Sequence, residues 1–144
     1  MRLRPIARGD LERVRLLRNQ SRESFFDSRE ISAARQREWF ENLRSKPTTF
    51  FVIEEDGVVV GTISVTARVD DQEIGNIILD PAYRGRGLMR RAVEQLTAGP
   101  GDYFADVKAG NTPSLNVFRA TGFSEEPAGD VVLLRKRVDE PPRL

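Results

Sequence analysis

Along this chain the spacing of apolar residues changes several times, and each change marks a predicted element. Arg2 to Ile6 alternates polar and apolar positions before a break at Gly9-Asp10, which predicts a short first strand. Asp10 is suited to cap a helix that carries Leu11, Val14 and Leu17 on one face. That helix frays at Asn19-Gln20-Ser21, and residues 22–30 read as a loop with Phe25 and Phe26 set among charges. Ser32 then caps a second helix with Gln36, Trp39, Phe40 and Leu43 on one stripe, and Lys46-Pro47 ends it.

From Thr49 the period becomes that of strands. Phe50 to Glu54 is followed by a turn at Glu55-Asp56-Gly57 and by Val58 to Val69, where Ile63, Val65, Ala67 and Val69 alternate with polar residues. Asp70-Asp71 turns the chain into a strand over Gln72 to Leu79, so three antiparallel strands are expected in succession. Met89, Ala92, Val93 and Leu96 return to the spacing of a helix, which Ala98-Gly99-Pro100-Gly101 breaks. Tyr103 to Val107 reads as a fifth strand, made parallel to the fourth by the intervening helix. Thr112 suits an N-cap and Pro113 a first helical position, and the helix through Leu115 and Phe118 stops at Gly122. Phe123 and a strand over Val131 to Arg137 complete the sheet.

Composition narrows the chemistry more than the fold. With 144 residues, 39% hydrophobic and 31% charged, the chain matches one domain over residues 1–138, with a loose tail over 139–144. A net charge of +1 gives no argument for nucleic acid or an anionic membrane as a partner. There is no cysteine and no histidine, so thiol nucleophiles, disulfides and the commonest metal ligands are excluded, and no metal is expected. Acid–base work falls to carboxylates, Tyr, Lys or water. No apolar run of 18 residues occurs and Met1-Arg2-Leu3-Arg4-Pro5 has no signal-peptide core, so a cytoplasmic location is expected.

The stretch Ile74 to Leu96 draws these readings together as strand, glycine loop and helix. Arg84-Gly85-Arg86-Gly87 precedes the helix, whose first N–H groups lack intrahelical partners and whose dipole points its positive end outward, an arrangement suited to pyrophosphate. Arg90 and Arg91 add charge at the same mouth. A tight turn needing positive φ would also use these glycines. No Gly-Lys-Ser/Thr follows, as a Walker loop requires, and no third glycine stands at position 90, as a dinucleotide fingerprint requires.

The loop resembles the acyl-CoA loop of the GNAT superfamily of N-acetyltransferases, Gln/Arg-x-x-Gly-x-Gly/Ala after a strand ending in an apolar residue, a variable residue and Pro. Leu79-Asp80-Pro81, Arg84 and Gly87 fit, and Met89 departs from the pattern. Asn111-x-x-Ser114-x-x-Val117-Phe118-x-x-Thr121-Gly122-Phe123 is similar to the second cofactor motif of that superfamily, at the expected separation. The N-terminal third, with Arg18-Asn19, Arg22, Phe25, Ile31-Ser32 and Gln36-x-x-Trp39-Phe40, is similar to members that acetylate amino sugars on nucleotide carriers.

This resemblance implies an α/β (α+β) fold with a mixed, mostly antiparallel sheet of about seven strands and four helices, the fourth and fifth strands parallel and splayed. It implies acetyl-CoA as cofactor, bound by the backbone of Ile77 and Leu79 as an added strand would be, by the loop Arg84, Gly85, Arg86, Gly87, Leu88 and Met89, and by Asn111, Ser114 and Phe118. Gly75 and Asn76 stand where a bulge redirects the strand. Asn19, Arg22 and Phe25 become candidates for the acceptor site. Glu73, eleven residues before Arg84, takes the place of a catalytic glutamate, with burial expected to raise its pKa or water to relay the proton. Phe118 stands where many relatives place a Tyr acid, and Tyr103 or Tyr83 is the candidate substitute. The expected activity is acetyl transfer to a primary amine of a small molecule, by a monomer or homodimer. Acetylation of a protein N-terminus or lysine, and a catalytically silent acyl-CoA-binding module, are the alternatives.

Overall fold

A computed structural model describes residues 1–142 and shows one seven-stranded sheet in the order β1-β2-β3-β4-β5-β7-β6. Its strands are β1 (Arg2–Pro5), β2 (Thr48–Glu55), β3 (Val58–Ala67), β4 (Gln72–Leu79), β5 (Gly101–Lys108), β6 (Ser124–Ala128) and β7 (Val131–Val138). The helices are α1 (Leu11–Gln20), α2 (Ala33–Asn42), α3 (Leu88–Leu96) and α4 (Thr112–Ala120). All strand pairs are antiparallel except β4 with β5, the mixed arrangement expected from the sequence. β3 stops at Ala67, short of Val69, because the Arg68 N–H closes a turn on the Asp71 carbonyl and leaves Val69 99% exposed at the tip. Of the tail beyond Val138, residues 143 and 144 lie outside the described residues.

The sheet buries both faces. Ile53, Val60, Ile63, Ile74, Ala105 and Leu134 meet Leu88, Met89, Ala92, Val93, Leu115 and Phe118 of α3 and α4 in the larger core. On the other face Val14 and Leu17 of α1 pack on Phe50, Val52, Val59 and Ile78, with Trp39 of α2 edge-on to Phe50 at 4.9 Å. Gly61 permits the close approach of β4 to β3, since a Cβ there would collide with the Ile78 carbonyl oxygen.

Two capping expectations are corrected. Asp10 makes no side-chain hydrogen bond to α1; it accepts from the Ala7 N–H at 2.7 Å and from both terminal nitrogens of Arg4 at 2.7 and 2.8 Å. The Arg4 guanidinium outcompetes the helix for that carboxylate and, with the Ala7 N–H, holds its pKa below the ordinary value. For α4 the cap is Asn111, whose Oδ1 accepts from the Ser114 N–H at 3.4 Å, one residue before the expected Thr112. Ser32 caps α2 as expected, accepting from the Arg35 N–H at 3.2 Å.

Two clefts that meet at a strand bulge

β4 and β5 pair only at Gln72–Tyr103 and Glu73–Phe104, and beyond those two positions the strands part. The cause lies partly in β4 itself. Asn76 adopts φ 52°, a left-handed conformation that asparagine tolerates better than most residues, and the register with β3 shifts between Thr62 and Ser64. Buried Thr62 and Ser64 hold the bulge: the Thr62 hydroxyl donates to the Asn76 carbonyl at 2.6 Å, and the Asn76 side-chain amide donates to Ser64 Oγ at 2.9 Å. The β4 backbone from Ile74 onward is therefore left with unpaired groups on its β5 side.

These groups border a cleft of about 460 Å³. Ile77, Ile78 and Leu79 form one wall, Arg84, Gly85, Gly87, Leu88, Met89 and Arg90 the floor, and Asn111, Pro113, Ser114, Asn116 and Val117 the opposite side. The glycines have the conformations that the loop requires, φ 81° at Gly85 and 72° at Gly87, with open space where a Cβ would stand. The first intrahelical bond of α3 runs from the Arg91 N–H to the Gly87 carbonyl, so the N–H groups of Leu88, Met89 and Arg90 lack intrahelical partners. Met89, the departure from the motif, borders the cleft although the residue is 4% exposed and packed in the core. Asp80 braces the loop from below, accepting from the Ala82 N–H at 3.0 Å and from Arg13 at 2.7 Å, contacts that lower its pKa in that order.

A second cavity of about 350 Å³ opens on the α1/α2 face, walled by Val14, Arg18, Gln36, Trp39 and Phe50, with Asp27, Ile31 and Arg35 at its rim. Asn76 and Ile78 line it too, and Ile78 is common to both cavities. The two spaces thus meet at the bulge.

Ile77, Leu79, Arg84, Gly85, Gly87, Leu88, Met89, Asn111 and Ser114 all line the first cleft. The Arg86 side chain does not; it lies over the Tyr83 ring at 4.7 Å. Phe118 is turned inward, fully buried and edge-on to Phe123 at 4.9 Å, because the apolar face of α4 must cover the sheet. Neither tyrosine reaches the cleft lining: the Tyr103 hydroxyl donates to the Gly99 carbonyl at 2.7 Å, and Tyr83 sits in a 3-10 turn beneath Arg86. Burial raises the Tyr103 pKa. Ser21 and Ser24 join the cleft from a turn after α1, a contribution with no signal in the sequence.

On the other side Asn19 is spent on the fold: it accepts from the Ile31 N–H at 2.8 Å and donates to the Ile31 carbonyl at 3.0 Å, pinning the intervening loop. Arg22 is exposed and 3.7 Å from Glu30. Phe25 lies beneath the Arg18 guanidinium, whose Cζ stands 3.3 Å from the ring centroid, and it is Arg18, not Phe25, that lines the cavity. Glu73 is half-exposed, against the expected burial, and accepts from Arg68 at 3.2 Å. It lines neither cavity, yet its Oε1 leans over Gly75 on the face that carries Ser64, and Ser64 in turn holds Asn76.

A family model described as the acetyltransferase (GNAT) family matches residues 14–123. The structure is similar to a ribosomal-protein-alanine N-acetyltransferase from Brucella melitensis, with a TM-score of 0.78 and 20% identity over 96% of this chain and 100% of that one. It is also similar to a spermidine N-acetyltransferase from Vibrio cholerae solved with CoA and spermine (TM-score 0.79, 19% identity, 94% of each chain). A phosphinothricin acetyltransferase from Sinorhizobium meliloti, solved with acetyl-CoA, aligns with TM-score 0.75 and 20% identity over 96% of this chain and 88% of that one. Among curated sequences, an uncharacterized protein of Mycobacterium leprae is 38% identical over 55 residues, which span 37% of this chain and 15% of that protein.

Proposed function

The chain belongs to the GNAT acetyltransferase family and is an acyltransferase, and from that premise we propose that it transfers the acetyl group of acetyl-CoA to a primary amine of a small molecule. The observation that carries this reading is the junction at Asn76 to Ile78, where a backbone-lined cleft and a side-chain-lined cavity share a wall. The cleft fits the cofactor on its own chemistry. Free N–H groups at the α3 terminus and the Arg84 side chain suit pyrophosphate, and the unpaired edge of β4 suits an amide-bearing arm laid along it. When bound, acetyl-CoA supplies an acetyl group activated as a thioester.

The chain's residues then position the acceptor, accept a proton and stabilise charge. As the amine nitrogen took the acetyl group from the thioester sulfur, an unpaired β4 N–H past the bulge would stabilise the negative charge on the acetyl oxygen. Glu73 accepts the amine's proton through water, across the gap that Gly75 leaves beside Ser64. Phe118, Tyr83 and Tyr103 are all away from the cleft lining, so none of them would protonate the departing sulfur, and a thiol of reference pKa about 8.5 would leave as thiolate and take a proton from water. Within the small-amine class, an amino sugar on a nucleotide carrier is the finer reading, supported by Arg18, Ile31, Gln36 and Trp39 of the N-terminal segment that carries the resemblance, all of which line the cavity.

The test is a thermal scan paired with a thiol-release assay. Acetyl-CoA at about 100 times its dissociation constant stabilises by about 2.7 kcal/mol, which raises the melting temperature by about 5–10 °C. Thiol release should then appear with some members of an amine panel. A chain with neither a shift nor calorimetric heat at millimolar acetyl-CoA does not have this function.

A further inference from the structure

The cavity beside the bulge contains polar groups that the fold leaves without partners. Gln36 faces inward from α2, is 6% exposed, lines the cavity, and its side-chain amide makes no hydrogen bond among the described residues. Arg18 enters the same wall from α1, and its buried Nε has no partner. Its other donors reach Asn76 Oδ1 at 3.5 Å and the Asp27 carbonyl at 3.4 Å, both at the long limit for a hydrogen bond. Phe25 covers the guanidinium face at 3.3 Å but offers nothing to its N–H edge. A guanidinium presents five donors in a planar fork, and here none has a short protein acceptor.

Charge points the same way. Arg35 is exposed at the cavity rim and has no ion pair within 4 Å among the described residues. The cavity's carboxylate, Asp27, is occupied by Arg29, which donates to its two oxygens at 2.9 and 2.8 Å and holds its pKa well below the usual carboxylate range. The space is therefore positive on balance. Asp27 attracts Arg18 only at longer range, with no ion pair between them within 4 Å, so an occupant carrying a planar pair of oxygens offers the partly buried guanidinium two parallel bonds that no described protein group supplies. A polycation meets repulsion there, and a neutral amine leaves the Arg18 fork unsatisfied.

We propose that the acceptor is an amine that carries its own oxyanion, a carboxylate or a phosphate, with Arg18 and Gln36 holding that group and Arg35 drawing it in. This inference rests on the acetyltransferase reading above. Because Arg18 lies against Asn76, the oxyanion sits next to the bulge where the two cavities meet, and the amine is delivered to the cofactor side of it.

The experiment has two arms. In the first, thiol release is followed with matched acceptors: amino acids against their amides, glucosamine 6-phosphate against glucosamine, and spermidine. The anionic member of at least one pair should be preferred by about 10- to 100-fold in kcat/KM, spermidine should be poor, and Arg18→Gln should bring that ratio towards one while acetyl-CoA affinity stays within about twofold. Arg18→Lys, which keeps the charge and loses the fork, should recover only part of the preference, and Arg35→Gln should lower kcat/KM for anions by less than Arg18→Gln does. The second arm needs no turnover. Trp39, the single tryptophan of the chain, lines the cavity, so its fluorescence reports occupancy by N-acetyl amino acids or N-acetylglucosamine 6-phosphate. Anionic products should change that signal, their neutral counterparts should not, and Arg18→Gln should abolish the difference. Equal turnover of charged and neutral acceptors, or equal fluorescence responses, overturns the inference while leaving the acetyltransferase reading intact. Absence of acetyl-CoA binding overturns that reading, and the fluorescence arm still decides whether the cavity selects oxyanions.

Discussion

The two cavities are built from different materials. The cleft proposed for the cofactor is made largely of backbone: amides at the α3 terminus, two glycines with φ above 70°, and an unpaired strand edge. The cavity proposed for the acceptor is made largely of side chains, from α1, α2 and the loop between them over a sheet wall of Phe50, Asn76 and Ile78, and even its loop is held by the Asn19 side chain. A backbone site depends on a few residues that permit one conformation, whereas a side-chain site changes its specificity with each substitution. The contrast matches an enzyme that keeps one acyl donor and is free to vary its acceptor.

The largest expected effect lies at the join. Glu73→Gln should reduce turnover by about 10²–10⁴-fold with acetyl-CoA affinity unchanged, and the residual rate should follow the amine's own titration. Near-wild-type turnover across pH 6 to 9 would remove Glu73 from the mechanism and leave it a strand residue paired with Arg68.

Next, Gly87→Val should weaken acetyl-CoA by about tenfold or more, because a β-branched residue resists φ 72° and intrudes on the amides beside it. No neighbour lies within 4 Å of a Cβ at Gly87, so the variant should still fold, as circular dichroism would show. A folded variant with unchanged affinity would reduce the loop to a turn.

Asn19→Ala probes the other region. Losing both hydrogen bonds to Ile31 should lower stability by about 1–3 kcal/mol and raise the acceptor KM, with acetyl-CoA affinity within about twofold. If cofactor affinity fell in parallel with acceptor affinity, the two cavities would not be separable.

How much of this was legible in the sequence follows the same division. Strand periods, the β4–α3 loop and the second motif were readable because each reflects a local backbone demand, as positive φ at Gly85 and Gly87 does, whereas the α4 cap fell on Asn111, one residue before the Thr112 that the spacing suggested. Asn19 and Arg22 were selected by resemblance, but the Asn19 hydrogen bonds to Ile31 and the Arg22–Glu30 ion pair close the irregular loop between α1 and α2, which no helical or strand period encodes. Phe118 illustrates the same limit, since a motif position does not say which side of α4 faces the core. Arg18 and Gln36 stand in the N-terminal segment that carries the resemblance, but only the folded chain brings them together on one cavity wall.

The smallest effect is on stability against pH. Asp10 and Asp80 have folded pKa values below the ordinary 3.8, so the stability they contribute is present above that value and is lost as pH falls through their lower folded values. With no histidine in the chain, the urea midpoint should be flat from pH 8 to 5 and decline only below about 4. A midpoint that falls between pH 8 and 5 would require another titrating group.

Hydrogen–deuterium exchange with and without acetyl-CoA tests the central claim most directly, because it reads the backbone groups to which the cofactor site is assigned. Protection is expected over residues 77–79 and 85–90, with a smaller change over 111–117 and none in α2. Protection concentrated in α2, or none in the Gly85–Arg90 loop at saturating acetyl-CoA, would contradict the account.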